Sequence, residues 1–343
     1  MNDKKKGVAV VFGGSGFIGS FFARQLIEVG LASYVYLYDN KRLVEQNSEF
    51  RESMIEGHSE ITFVHGDIRH PIEWEPSEPI ELVANFAAVH REPGHQDGEY
   101  YECNLLGAEN VCKWAERMDC NRIIFTSSIA PYGPSEELKD ENSIPVPETA
   151  YGGSKLVAEK IHQIWQAGDS NRQLVIVRPG VVFGPGEVGN VSRLIRAILG
   201  GYFFYMGNKK TRKAGIYVKE LCATMIWALN SQKSKYKGLT LYNAAMNPGP
   251  SLEEYVNEIK NVAGISRYVP NLPSPILLIA AYLIELVAKP FGISHPFSPV
   301  RVKKLLRSNN IKPTYLVENE YKFKYTLEEA LIDWKKECPE EWK

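Results

Sequence analysis

The sequence has few cysteines, and they are scattered along the chain. Its five cysteines stand at positions 103, 112, 120, 222 and 338, an odd number without a Cys-x-x-Cys motif. This pattern argues against a disulfide framework and against a zinc site, and it is typical of reduced, buried thiols in a cytosolic protein. The seven histidines show no paired spacing with cysteines or carboxylates, so we assign no metal ligand.

The chain also lacks an excess of charge and a long apolar run. Its 40 Lys and Arg residues nearly balance 41 Asp and Glu residues, and the isoelectric point is near 6.7, so nothing indicates a nucleic-acid partner. No window reaches the ~20 apolar residues of a spanning helix. The basic start at 1–6 leads directly into a predicted strand, without the apolar core of a signal peptide. We therefore expect a cytoplasmic protein.

A glycine-rich turn follows the first predicted strand. Residues 8–12 read VAVVF, and glycines stand at 13, 14, 16 and 19 within the stretch GGSGFIG. Apolar residues at helical spacing continue from Phe17, so the last glycines lie where a helix N-terminus offers free N–H groups to a phosphate. A glycine cluster alone is also typical of ordinary surface turns. In this context the turn predicts a site for a dinucleotide pyrophosphate.

Asp39 ends the second predicted strand. It lies about 20 residues after Gly19, where an acidic residue binds the 2′-hydroxyl of an adenosine ribose. A carboxylate there repels a 2′-phosphate, which favours NAD over NADP. Lys41 and Arg42 are close enough in sequence to accommodate a phosphate and leave the alternative open.

Strand-like segments alternate with helical patterns along the first half of the chain. They lie at 8–12, 35–38, 61–64, 82–86, 123–126 and 174–177. This alternation predicts an α/β fold with a doubly wound parallel sheet. We place a Rossmann domain at 1–178, with 214–245 returning to it, and a smaller C-terminal substrate lobe at 179–343.

A tyrosine and a lysine stand four residues apart in YGGSK at 151–155. On a helix this spacing places Tyr151 and Lys155 on one face, where the ammonium favours the phenolate and creates a usable base. Ser128, at the end of the fifth predicted strand, can hydrogen-bond the reacting oxygen. An ordinary helix pair is the alternative interpretation of this spacing.

The order of these motifs resembles the extended short-chain dehydrogenases/reductases, the group that contains nucleotide-sugar epimerases and dehydratases. The resemblance covers nearly the whole length. The matching motifs are GGSGFIG at 13–19, Asp39, GDI at 66–68, FAA at 86–88, Asn104, TSS at 126–128, YG at 132–133, YGGSK at 151–155, RP at 178–179 and TLEEA at 326–330.

The resemblance implies NAD as the cofactor and assigns roles to individual residues. Ser128 is the implied hydroxyl partner, Tyr151 the base, and Lys155 both a ribose ligand and the group that tunes the tyrosine. The implied cofactor contacts are Gly13, Gly16, Phe17, Ile18, Gly19, Asp39, Asn40, Asp67, Ile68, Ala87, Ala88, Asn104, Tyr151 and Lys155. The expected chemistry is removal of a proton from a sugar hydroxyl while a hydride passes to NAD, and its return to the opposite face gives epimerisation.

The residues after Ser128 help to distinguish between the reactions that this family catalyses. Dehydratases of this family carry an Asp-Glu pair there to eliminate water, whereas this chain has Ile129 and Ala130. Two apolar residues cannot supply that acid and base, so we expect a 4-epimerase. An NAD-dependent alcohol or hydroxysteroid-type dehydrogenase and a non-catalytic NAD-sensing module are the alternatives.

At two places the sequence departs from the family pattern for binding the carrier, which is the diphosphate-linked group attached to the sugar. Val181 stands where nucleotide-sugar enzymes often have Asn, and Lys213-Ala214 where they often have Arg-Asp. The basic run KKTRK at 209–213 can still neutralise a diphosphate, although a solvated hairpin tip explains it as well. The predicted substrate contacts are His90, Ser128, Asn190, Arg212 and Lys213.

An apolar run at 276–288 is too short to cross a bilayer. It predicts either a buried helix of the small lobe or a helix lying on the membrane surface, with basic residues from 301 to 307 close by. Together with AAVHR at 87–91, GNV at 189–191 and SPVRVKK at 298–304, it resembles a bacterial subgroup that epimerises N-acetylglucosamine carried on undecaprenyl diphosphate. We expect a homodimer with peripheral membrane contact, taking either a UDP-linked or a lipid-linked sugar diphosphate.

Overall fold

The central element of the protein is a parallel sheet, seen in a computed structural model that describes residues 7–46, 48–92, 94–234, 238–273, 275, 282, 284 and 307–343. The strands in chain order are β1 (Gly7–Phe12), β2 (Ala32–Asp39), β3 (Ile61–His65), β4 (Ile80–Asn85), β5 (Arg122–Thr126), β6 (Ser135–Lys139), β7 (Gln173–Pro179), β8 (Val181–Phe183), β9 (Tyr205–Met206), β10 (Gly215–Tyr217), β11 (Leu239–Ala244), β12 (Asn271–Leu272) and β13 (Asn309–Ile311).

Seven of these strands form the central sheet in the order β11-β7-β5-β4-β1-β2-β3. Every neighbouring pair in it is parallel. The chain order reverses between β1 and β4, and a crevice at such a reversal is where sheets of this kind bind ligands. The remaining strands form three two-stranded sheets, β8 with β10, β9 with β12 and β6 with β13.

Helices cover both faces of the sheet. They are α1 (Phe17–Glu28), α2 (Glu49–Ile55), α3 (Asp97–Arg117), α4 (Ala150–Ala167), α5 (Asn190–Leu199), α6 (Val218–Ser234), α7 (Leu252–Ala263), α8 (Thr314–Glu318) and α9 (Leu327–Glu337). One buried cluster joins the sheet to Leu26 of α1, Leu221 of α6 and Trp334 of α9. The opposite cluster contains Trp114 of α3 and Ala158 of α4. The predicted doubly wound fold is therefore confirmed.

The local predictions match these elements closely. All six predicted strands occur, with ends that differ by at most a few residues, and α1 begins at Phe17 as expected. The TLEEA motif opens α9 with a capping box: Thr326 Oγ1 accepts a hydrogen bond from the N–H of Glu329 at 3.2 Å, and the Glu329 carboxylate accepts one from the N–H of Thr326 at 2.8 Å. The division at residues 178 and 179 stays a prediction.

Two carboxylates hold the C-terminal segment. Glu220 of α6 accepts hydrogen bonds from the Tyr321 hydroxyl at 2.5 Å and from the N–H groups of Lys324 at 2.7 Å and Tyr325 at 2.8 Å. Carboxylates that accept backbone N–H groups make strong, directional anchors. The stretch that leads into α9 is thereby fixed against α6.

Glu141 makes a second anchor, between β11 and α8. It accepts hydrogen bonds from the backbone N–H groups of Asn243 at 2.8 Å, Thr314 at 3.1 Å and Tyr315 at 3.3 Å. One side chain therefore joins two stretches that lie about 70 residues apart in sequence.

The apolar run at 276–288 falls outside the described residues except for Tyr282 and Ile284. Both of these side chains are exposed, Tyr282 by 53% and Ile284 by 41%. Among the described helices, none combines the length and the apolar character needed to cross a membrane.

Candidate active site

The glycine turn lies between β1 and α1 and is packed tightly against its surroundings. Gly13 has a φ of +74°, which favours glycine, and a Cβ at that position would lie 2.6 Å from the backbone nitrogen of Ala87. A Cβ on Gly19 would lie 2.3 Å from the carbonyl oxygen of Gly13. Glycine is therefore required for the turn to pass this close to the neighbouring loop.

The N-terminus of α1 is open to an anion. Its N-cap residue, Gly16, supplies no side-chain cap, and the first turn holds no acidic residue. The N–H groups at a helix start and the helix dipole together attract negative charge. The turn that contains Gly13, Gly16, Phe17, Ile18 and Gly19 thus fits a pyrophosphate.

Asp39 ends β2 beside this turn. Its carboxylate accepts hydrogen bonds from the N–H groups of Ser15 at 3.2 Å and Lys41 at 3.3 Å, and burial raises its pKa. Arg51, a buried residue of α2, donates to the carbonyl oxygen of Ser15 at 3.0 Å and to that of Gln46 at 3.1 Å. Sequence analysis missed Arg51, because no local pattern connects a helix residue to a turn 36 positions earlier.

The neighbouring side chains at this edge of the sheet are exposed or partly exposed. Asn40, Lys41 and Arg42 are exposed. Arg42 lies over the ring of Phe63, with its guanidinium carbon 5.8 Å from the ring centroid. The Arg42 side chain thus has an aromatic partner within the protein, and the alternative role of Lys41 and Arg42 as phosphate ligands stays a prediction.

Asp67 and Ile68 follow β3, as expected for residues that flank an adenine. Asp67 forms an ion pair with Arg69 at 2.5 Å, and the Arg69 hydrogen bond lowers the pKa of Asp67. Ile68 is buried, and its carbonyl oxygen accepts a hydrogen bond from Asn110 of α3 at 2.8 Å. These contacts fix the wall on which an adenine would rest.

Asn104 connects the loop after β4 to α4. Its side chain accepts a hydrogen bond from the N–H of Val89 at 3.0 Å and donates to the hydroxyl of Ser154 at 2.9 Å. The Ser154 hydroxyl in turn donates to the carbonyl oxygen of Tyr151 at 2.9 Å. The loop that carries Ala87 and Ala88 is thereby held against the start of α4.

The expected catalytic side chains come from β5 and α4. Ser128 lies just past the end of β5, and Tyr151 and Lys155 lie one turn apart on α4. Burial raises the pKa of Tyr151 to about 12, and the nearby Ser128 side chain opposes this rise without cancelling it. The chain's own groups therefore raise this pKa instead of lowering it, and additional positive charge is needed to favour the phenolate.

Lys155 is buried, with 3% of its surface exposed. Its ammonium lies over the face of Phe125, 4.4 Å from the ring centroid, and burial lowers its pKa to about 8. An aromatic face attracts positive charge but occupies none of the ammonium's N–H donors in conventional hydrogen bonds. Those donors fit the hydroxyls of a nicotinamide ribose.

Apart from Ser128, the predicted substrate contacts lie in several separate parts of the chain. His90 is exposed in the loop after β4. Asn190 begins α5, where its side-chain oxygen accepts a hydrogen bond from Arg193 at 2.9 Å. Arg212 donates to the carbonyl oxygen of Gly249, and Lys213 donates to that of Arg307 at 2.6 Å. Their contact with a substrate stays a prediction.

The basic run at 209–213 is not a bare solvated tip. Lys209 forms an ion pair with Glu253, and burial lowers the pKa of Lys213 to about 8.

Within the described residues, no group of three or more His, Cys, Asp and Glu side chains is arranged to hold a metal ion.

Comparison with known proteins gives relatives that match most of the chain. It is 30% identical over 335 residues to the N-acetyl-alpha-D-glucosaminyl-diphospho-ditrans,octacis-undecaprenol 4-epimerase of Escherichia coli O157:H7, a match that covers 96% of this chain and 94% of that protein. It is 25% identical over 308 residues to a decarboxylating sterol-4-alpha-carboxylate 3-dehydrogenase of Saccharomyces cerevisiae, covering 86% of each.

The fold is shared with solved enzymes. The structure of UDP-glucuronic acid 4-epimerase from Bacillus cereus in complex with NAD matches with a TM-score of 0.75 at 17% identity, over 98% of this chain and 100% of that chain. At this identity the likeness concerns the fold, and it confirms the Rossmann architecture.

Residues 9–245 match the family described as the NAD dependent epimerase/dehydratase family. The matched stretch runs from β1 to just past β11 and includes the glycine turn, Asp39 and the Tyr151 and Lys155 pair. The resemblance inferred from the sequence motifs is therefore confirmed, and the chain belongs to the NAD dependent epimerase/dehydratase family.

Proposed function

We propose that this protein is an NAD-dependent 4-epimerase of a diphosphate-linked hexose or N-acetylhexosamine in cell-surface polysaccharide biosynthesis. The observation that carries the proposal is the placement of Ser128, just past β5, near Tyr151 of α4, with Lys155 one helical turn away. The similarity to the Escherichia coli undecaprenol 4-epimerase over 96% of the chain supports the same reaction.

In this mechanism the chain's own groups handle the proton. The glycine turn, Asp39 and Lys155 would hold NAD, which would supply a reversible hydride acceptor, so that the reaction would involve no net oxidation. Tyr151 receives the proton of the reacting hydroxyl, and Ser128 holds that oxygen by a hydrogen bond. Lys155 binds the ribose and, as a cation, opposes the rise in the tyrosine pKa that burial causes.

The structure gives no side chain for dehydration next to Ser128. Ile129 is buried, and Ala130 begins a short 3₁₀ turn. The similarity to the yeast sterol dehydrogenase favours a dehydrogenase as the second candidate. Stoichiometric reduction of added NAD by substrate indicates a dehydrogenase, whereas product formation without net reduction indicates an epimerase.

We expect Tyr151→Phe to retain NAD and to lose turnover by about 10²–10⁴-fold, because the base is removed while the ribose ligand stays. Product formation by sugar analysis and NAD affinity by calorimetry give the two measurements. Tyr101→Phe, on the adjacent helix α3, is the matched control and should be active. Near-normal activity of Tyr151→Phe would contradict the mechanism.

We expect the protein to bind NAD more tightly than NADP, because Asp39 repels a 2′-phosphate. In Asp39→Asn the ratio of the two dissociation constants, measured by calorimetry, should fall by about tenfold or more. The double variant Lys41→Ala with Arg42→Ala tests the alternative that these cations accept a phosphate, and it should leave the ratio unchanged. Equal affinities in the unaltered protein would remove Asp39 from the ribose site.

For the carrier, we infer a polyprenyl diphosphate, so that the lobe meets the cytoplasmic face of the membrane. Exposed Tyr282 and Ile284 support a surface that contacts lipid. Tyr202 and Tyr268 are also exposed, and Arg267 lies beside Gly201. Aromatic and basic side chains are typical of surfaces at the level of anionic headgroups. A polyprenyl chain stays in the bilayer because each buried CH₂ contributes about 0.8 kcal/mol.

We therefore expect the protein to sediment with anionic liposomes and to epimerise lipid-linked N-acetylglucosamine faster than its UDP counterpart. Tyr282→Asp with Ile284→Asp should abolish sedimentation, since charge opposes insertion into lipid. Ile144→Asp, at an exposed position of the sheet domain, is the control and should still bind. Efficient turnover of the UDP sugar without liposome binding would indicate a nucleotide-sugar epimerase.

We also infer a homodimer formed through α3 and α4. The two helices lie side by side and expose Tyr101, Leu106, Val157 and Ile164, the last by 73%. Apolar side chains grouped on adjacent helices favour association.

Ile164→Asp should therefore shift the mass measured by light scattering from a dimer to a monomer. Ile332→Asp, on the exposed face of α9, should remain dimeric. A wild-type protein that is monomeric at micromolar concentration would contradict this interface.

A further inference from the structure

Glu159 lies on α4 one turn beyond Lys155 and is fully buried, with 0% of its surface exposed. Tyr151, Lys155 and Glu159 thus follow one another at intervals of four residues on the same face of one helix. A buried carboxylate is costly unless it is paired and hydrogen-bonded. Its position one helical turn from Lys155 therefore needs a physical reason.

Arg178, at the end of β7, pairs with this carboxylate through two hydrogen bonds. Its Nε donates to Glu159 Oε1 at 2.8 Å, and its Nη2 donates to Oε2 at 2.6 Å. Ser127 Oγ also donates to Oε1, at 2.5 Å. Because Ser127 precedes Ser128, the carboxylate also fixes the loop that carries the catalytic hydroxyl.

The guanidinium of Arg178 is held in turn by a second buried group. Its Nη1 donates to the hydroxyl of Tyr132 at 2.7 Å, and that hydroxyl donates to Asn243 Oδ1 at 3.0 Å. A fully hydrogen-bonded arrangement of this kind leaves the carboxylate little freedom to move. Glu159 is therefore a fixed negative charge beside the site.

The other titratable groups facing Lys155 do not replace this charge. They are Tyr151 and His162 on α4, Cys103 on α3, and His90 in the loop after β4. The ring of His162 stacks on Phe125, 4.1 Å between centroids, on the ring that also carries the ammonium. Burial lowers the pKa of His162 to about 4, so this imidazole is neutral at physiological pH. None of these four groups is a carboxylate, whereas Glu159 is.

We propose that Glu159 is a positioning residue of the epimerase reaction, whose buried carboxylate, held by Arg178 and Ser127, keeps Lys155 in its charged form and fixes the Ser128 loop. This inference rests on the proposed function for its role in turnover. The assignment fits the general behaviour of buried ion pairs, which are often no more stabilising than apolar residues of similar volume. Protection of the Lys155 charge gives the pair a role beyond stability.

The direct test is the pH dependence of NAD affinity, which requires no sugar substrate. As the pH rises through the pKa of Lys155, near 8, the ammonium becomes an amine and the affinity for NAD falls. In Glu159→Gln the attraction that opposes deprotonation is lost. The midpoint of the fall should therefore move to lower pH by about one unit or more.

Three further variants make the result specific. Lys155→Arg, with a guanidinium that does not titrate in this range, should abolish the fall and so assign it to Lys155. Ser127→Ala removes a hydrogen bond to Glu159 without changing its charge, and its midpoint should match that of the unaltered protein. Glu159→Gln with Arg178→Met leaves no unpaired buried cation and provides a folded protein if the single variant is unstable.

An unchanged midpoint in either folded Glu159 variant overturns the proposal. A shifted midpoint supports it, and the pH profile of turnover should then lose activity at correspondingly lower pH on the alkaline side. Because the binding measurement involves only NAD, failure to epimerise a given sugar tests the proposed function and leaves this result intact.

Discussion

The common direction of the seven central strands is the constraint on which the rest of the molecule depends. In a parallel sheet every strand ends at the same edge, so the loops after β1, β2, β4, β5 and β7 meet there. The glycine turn, Ser128 and the loop held by Asn104 belong to those loops, and Asp39 and Arg178 lie at the ends of β2 and β7. The pieces of the site are thus brought together by the sheet, although they are distant in sequence.

Burial governs the chemistry at that edge. It raises the pKa of Tyr151 to about 12 and lowers that of Lys155 to about 8, and both shifts disfavour the charged forms that the proposed reaction uses. Compensating charge is therefore needed: Glu159 opposes the effect of burial on Lys155, and Tyr151 needs positive charge beyond that of the chain's own groups. Lys155, Glu159 and Arg178 thus bring positive, negative and positive charge in turn, the first two on one face of α4 and the third at the end of β7.

The features that were predicted from sequence are those with a local cause. Strand and helix positions follow from apolar periodicity, and the glycine turn follows from steric demands within a few residues. The pairing of Glu159 with Arg178, the contact of Arg51 with the turn and the anchors at Glu141 and Glu220 join distant segments, so no local pattern reveals them. The rise in the Tyr151 pKa could not be foreseen either, because the sequence shows the neighbouring lysine but not the depth of burial.

The anchor at Glu141 has a consequence for how such enzymes diversify. Its carboxylate binds the N–H of Asn243 near the end of β11 and those of Thr314 and Tyr315 at the start of α8. The two ends of the stretch between Asn243 and Thr314 are therefore held by one side chain. Substitutions within this stretch can therefore accumulate without moving its two ends.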